Sequence, residues 1–210
     1  MFLFIVRLLT IAICFAIAPF CDEPVLKRIA KTLLHAFGFT FEVSGMQHAR
    51  VPVIAYHHPS CIEPFLLFAE LNNAFFLARR EQLWPFSISV HAIARKLNWL
   101  TVSQKENEDT VNRIKNHIAR TGKAVAIAPT IQRNKRNSGS YMFQLPNLRT
   151  GAFRIADIVQ PVIFRYDKRL SKCMYSNVWN VLRAMWNVSS RSAAATTADS
   201  YKIQMVFLSP

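Results

Sequence analysis

Four short apolar runs constrain the fold of this chain more than any other feature: VPVIAY at 51–56, AFFLAR at 74–79, KAVAIA at 123–128 and PVIFRY at 161–166. Each is too short for a stable helix and is rich in β-branched or aromatic residues. None alternates cleanly between polar and apolar, so each reads as a strand covered on both faces. The intervening segments carry a different period. Residues 107–121 place Val111, Ile114 and Ile118 at helical spacing, with Glu108 and Asp109 ahead, Arg120 near the end and Gly122 behind. Acid first and base last is the order a helix dipole favours.

The stretch EPVLKRIAKTLLHAF (23–37) sets Val25, Ile29, Leu33 and Phe37 four apart and Lys27, Arg28 and Lys31 elsewhere, the pattern of a basic amphipathic helix. Gly38 stands where a helix terminator belongs, and FTFEV alternates like a strand behind it. GAFRIADIV (151–159) and VWNVLRAMW (178–186) read as helices, 189–200 as a polar linker and YKIQMVFL (201–208) as a closing strand. Strands alternating with helices predict an α/β fold: a mainly parallel central sheet flanked by helices.

Residues 2–20, FLFIVRLLTIAICFAIAPF, are apolar apart from Arg7 and Thr10 and approach the roughly 20 residues of a spanning helix. Three readings compete. A signal peptide wants its charge ahead of the apolar stretch, whereas Arg7 interrupts it, and Pro19 follows the cleavage-like Ala16-Ile17-Ala18. A buried core helix is the second. An anchor, spanning or half-inserted, is the third, with Arg7 snorkelling to headgroups. On the anchor reading, residues 1–21 form a membrane helix and 22–210 a single domain.

Lys and Arg number 26 against 12 Asp and Glu, a net charge of +14, which implies an anionic partner. The chain carries no recognition-helix pattern, stacking motif or zinc spacing, so nucleic acid is not expected. A basic helix beside an apolar one is explained by anionic lipid headgroups. Cys14, Cys21, Cys61 and Cys173 form no C-x-x-C pair, which predicts neither a disulfide framework nor a metal site and favours a reduced, cytosol-facing fold. Asn187-Val188-Ser189 is a sequon that would matter only on a lumenal face.

The segment YHHPSCIEPF (56–65) lies just past a buried strand, where ligands gather in open α/β sheets. His58 is followed five positions later by Glu63. Across a strand-to-helix turn, such a carboxylate can fix the imidazole tautomer and leave its other nitrogen free to take a proton from a hydroxyl. A second reading stands beside this one: Ser60-Cys61-Ile62-Glu63 is also a capping box, and Pro64 suits the first turn of a helix. Cys61 reads as packing. His35, His48, His91 and His117 have no metal-like spacing, and the basic run 133–136 is either a solvated loop or a phosphate site.

From about position 26 to 210 the chain resembles the lysophospholipid (glycerolipid) acyltransferases. PVIAYHHPSCIEPFLL resembles that family's first motif, a strand ending in Asn-His-x-Ser-x-x-Asp-Pro; His58, Ser60 and Pro64 match, His57 stands for Asn and Glu63 for Asp. In the second motif Gln104 occupies the Arg position, with Lys105 beside it. The third, Phe-Pro-Glu-Gly-Thr-Arg, aligns with 128–133, so that Pro129 and Arg133 match while the Glu is absent. LRTGAFRIADIVQPVIFRY resembles the later passage and fourth motif through Gly151, Ala152, Ala156 and Pro161.

The resemblance implies that His58 deprotonates an acceptor hydroxyl for attack on the thioester of acyl-CoA, with Glu63 orienting it. It further implies that Arg133 holds the acceptor phosphate, aided by Lys105, and that Ser60, Gln104 and Gly151 lie on the substrate side. Acyl-CoA is then a co-substrate and no resident cofactor or metal is expected. The implied setting is the endoplasmic reticulum or another intracellular membrane, with membrane phospholipid as partner. The altered second and third motifs imply a weak or specialised enzyme, with a lipid-binding member that has lost catalysis as the alternative.

Overall fold

Val53–Tyr56, here β2, is the middle strand of a seven-stranded sheet. The computed structural model describes residues 2–56, 62–79, 87–102, 108–128, 151–166, 182, 183, 185–187, 189 and 201–210. Among these, the other strands are β1 (Phe39–Ser44), β3 (Ala74–Arg79), β4 (Leu100–Val102), β5 (Ala124–Ile127), β6 (Val159–Tyr166) and β7 (Tyr201–Phe207). They lie in the order β1-β7-β6-β2-β5-β3-β4. Every neighbouring pair is parallel except β6 and β7. The mainly parallel α/β sheet read from the sequence is therefore the observed one.

The helices are α1 (Phe2–Ile17), continued by a 3-10 turn at Ala18–Phe20, α2 (Glu23–Ala36), α3 (Glu63–Glu70), α4 (Ser87–Lys96), α5 (Glu108–Thr121) and α6 (Gly151–Ile155). They form two layers. On one face of the sheet, Leu26, Ile29, Leu33 and Leu34 of α2 and Leu66 and Leu67 of α3 pack with Ile54, Tyr56, Val162, Phe164, Ile203 and Met205. On the other, Ile114 of α5 and Ile155 of α6 pack with Val53, Phe75 and Val125. Because side chains alternate along a strand, Val53 and Ile54 serve opposite layers, and both are fully buried. This is why β2 reads as a continuous apolar run.

The start of α2 is capped by Asp22, whose carboxylate accepts from the Val25 N–H at 3.2 Å, and Pro24 lies in its first turn. At the other end Gly38 adopts φ 87°, donates to the His35 carbonyl and accepts from the Tyr201 N–H at 3.0 Å, which turns the chain into β1 beside β7.

The amino-terminal helix is not detached from this framework. Cys14 and Ala18 are buried in the same core as α2 and α3, and Phe15 meets Phe65 edge-on at 6.4 Å. The Arg7 guanidinium donates to the Ser189 hydroxyl at 3.1 Å, and Phe4 meets Trp186 edge-on at 4.9 Å. The other side of α1 remains an apolar stripe facing outward, with Phe2 81%, Leu9 58%, Ile13 58% and Phe20 85% exposed. Residues 2–20 are long and apolar enough to cross a membrane, and only 11% of that window is buried.

Candidate functional site

The carboxyl-terminal end of β2 leads into the segment that carried the sequence prediction. Its residues 57–61, including His58 and Ser60, lie outside the described residues, as do Gln104, Lys105 and Arg133. Of the residues expected at the site, Glu63 and Gly151 are described. Glu63 is the first residue of α3, and Gly151 opens α6, the helix whose Ile155 packs on the opposite face of the sheet.

The capping-box reading of Ser60 and Glu63 turns on Ser60, which lies outside the described residues. The residue preceding α3 is Ile62, in a helical conformation (φ −90°, ψ −36°) with no side-chain cap, and proline stands in the first turn. Glu63 is the first residue assigned to α3, and a place in the first turn does not by itself account for its burial. It needs another physical explanation, because its side chain is only 1% exposed. A carboxylate taken out of water costs several kcal/mol unless charge and hydrogen bonds compensate.

One tyrosine and a helix end supply that compensation, and a second tyrosine stands within electrostatic reach of the carboxylate. The Tyr166 phenol, at the end of β6, donates to Glu63 Oε1. In the sheet register Tyr56 lies opposite Val162, so β6 runs four residues past the end of β2, an overhang of roughly 13 Å. Val162, Phe164 and Tyr166 share one face of β6, and that overhang carries the phenol up to the start of α3. Tyr56 is the second group: burial first, and then the Glu63 charge, push its phenol well above the ordinary tyrosine range, so it stays protonated. Its ring meets Phe164 edge-on at 6.5 Å. The positive end of the α3 dipole also lies beside the carboxylate, which is carried by the helix's first residue.

What this arrangement can do chemically is hold a carboxylate at a fixed place where the central strand meets the following loop. A carboxylate has two oxygens and about four acceptor sites, so one phenol on Oε1 does not exhaust it. Among the described residues no three His, Cys, Asp or Glu side chains converge as a metal-ligand set. A cavity of about 670 Å³ is lined by Gly45, Arg50, Pro52, Asn73, Gly122 and Lys123. Those residues precede β2, β3 and β5 or follow β1, so the cavity lies at the end of the sheet away from Glu63 and is not part of this arrangement.

Sequence reasoning missed both tyrosines. Tyr56 had a signal in its place at the end of a buried strand next to the motif. Tyr166 had none that is local, because it stands 103 positions from Glu63.

No protein-family model and no curated protein matches the chain. Among solved structures, the fold is similar to that of the 1-acyl-sn-glycerophosphate (LPA) acyltransferase PlsC from Thermotoga maritima. The TM-score is 0.53 at 16% identity, over 98% of this chain and 86% of that one. At this identity the likeness shows a common fold, which in this chain is a mostly parallel seven-stranded sheet flanked by helices.

Proposed function

We propose that this chain is an acyltransferase of lipid synthesis that works at a membrane surface, moving an acyl group from acyl-CoA to the hydroxyl of a lysophospholipid or glycerol phosphate. The observation that carries the reading is the buried Glu63 carboxylate. It lies five residues after His58, beyond the carboxyl end of the central parallel strand, in a fold shared with an LPA acyltransferase.

In this reading the His58 imidazole takes the proton of the acceptor hydroxyl, and Glu63 holds the ring in the productive tautomer. The hydroxyl oxygen bonds to the acyl carbonyl carbon, the carbon–sulfur bond breaks, and the proton passes from imidazolium to the departing CoA thiolate. Arg133 receives the acceptor phosphate, since a planar guanidinium suits a bidentate contact, with Lys105 adding charge. Ser60, Gln104 and Gly151 complete the acceptor side. The chemistry requires no resident cofactor.

The outward stripe of α1 supports the membrane part of the proposal. Apolar side chains on that stripe would enter the boundary between headgroups and acyl chains, while the net charge of +14 attracts anionic lipid. Phe15 and Phe65 join α1 to α3, so the helix that begins with Glu63 is packed directly on the helix that meets lipid. An intracellular membrane with the domain facing the cytosol is the proposed location.

The test is a transfer assay in detergent with labelled acyl-CoA and lysophosphatidic acid. The proposal expects labelled phosphatidic acid. Binding of either substrate with no product from any lysophospholipid acceptor would instead identify a lipid-binding member of the fold.

A further inference from the structure

We propose that Tyr166 is a positioning residue for the Glu63 carboxylate, fixing the extra torsion that a glutamate introduces behind His58; the role rests on the acyltransferase reading above. Glu has one more sp³–sp³ torsion than Asp, with three staggered wells, so its carboxylate is less defined unless something selects one of them. A catalytic group has to be held within roughly 0.5 Å of its productive position. The Tyr166 phenol makes that selection by donating to Oε1.

The strand behind the phenol is anchored in the core. Val162 and Phe164, on the same face of β6, are buried in the core, and Phe164 packs edge-on against Tyr56 at the end of β2. Tyr166 is itself packed against that core. The backbone that carries the donor and the strand that leads to His58 are thus held in one register, with Tyr56 opposite Val162. Ile62 and Leu66, at most 1% exposed, anchor the first turn of α3 in the same core. The phenol makes up for the added methylene of Glu63, so the requirement for Tyr166 is specific to a glutamate at this position.

Tyr166→Phe keeps the ring and removes the donor. In the transfer assay it is expected to lower kcat on the order of tenfold to a hundredfold, with KM for the lysophospholipid changed by less than about twofold, as for a misplaced catalytic group. Against Glu63→Asp, whose carboxylate stands one methylene further back and has one torsion fewer to fix, adding Tyr166→Phe should cost little further. A merely structural tyrosine would show the same loss in both backgrounds. As a readout independent of turnover, tyrosine isotopically labelled at Cζ reports the contact by NMR, and the Tyr166 resonance, assigned by its loss in Tyr166→Phe, should shift in Glu63→Gln. Native turnover with an unaffected Tyr166→Phe, equal losses in both backgrounds, or an unmoved resonance each overturns the positioning role and leaves the proposed function standing. Absence of transfer by the native chain overturns the function itself, and this role with it.

Discussion

The Arg7 guanidinium donates to the Ser189 hydroxyl at 3.1 Å, joining two residues 182 positions apart, and Ser189 in turn donates to the Met185 carbonyl at 2.8 Å. Through this bond the charge that interrupts the amino-terminal apolar helix becomes a tether to the helical residues near the carboxyl terminus. Ser189→Ala leaves a part-buried guanidinium without that acceptor. The expected loss is about 1–2 kcal/mol of stability, measured by chemical denaturation in detergent. An amino-terminal helix independent of the domain would instead leave the denaturation midpoint unchanged.

The outward stripe of α1 makes a separable prediction. Leu9→Asp with Ile13→Asp alters two exposed positions, so the fold should be retained while binding to anionic vesicles falls at least tenfold in a co-sedimentation assay. Unaltered vesicle binding would remove α1 from the lipid contact.

Gly45 ends β1 with φ +75°, and a Cβ there would lie 2.6 Å from the Phe207 carbonyl oxygen on β7. Both the conformation and the contact are backbone constraints. Gly45→Ala should therefore cost roughly 1–3 kcal/mol, seen as a lower thermal midpoint. A midpoint equal to that of the native chain would contradict the close approach of β1 and β7.

On the second face of the sheet, His117 is buried against the Phe75 ring at 4.5 Å, and its Nε2 has no hydrogen-bond partner among the described residues. Burial, then Arg120 and Lys123, hold its imidazole below the ordinary value of 6.5. Protonation therefore favours the unfolded chain, where the ring titrates normally. The stability contribution is complete above about pH 6.5 and is lost as pH falls from there towards the lowered folded-state value. His117→Leu should flatten this acid-side decline in denaturation experiments, and an unchanged slope would place the decline elsewhere.

Much of the framework was legible because burial on both faces leaves a composition signal. VPVIAY, AFFLAR and PVIFRY became β2, β3 and β6, and the amphipathic 23–37 stretch became α2 with Gly38 at its end. The segment containing α4 and β4 was not read as helix and strand. SISVHAIARK has only a weak apolar face, and a three-residue strand has too few positions to show a period. The order of the sheet edge was equally hidden, since β1 pairs with β7 from the far end of the chain. At the candidate site, the carboxylate could be picked out at Glu63 by its spacing from His58. Its donor could not, because a hydrogen bond from Tyr166 depends on how far β6 extends past β2.

The most direct test of the central claim is the rate of labelled acyl transfer to lysophosphatidic acid by the native chain and by His58→Ala, compared in the same detergent. The account predicts transfer by the native chain and a loss of about a hundredfold to ten-thousandfold in kcat on removing the imidazole, the range for a general base. Equal rates from the two proteins would contradict it.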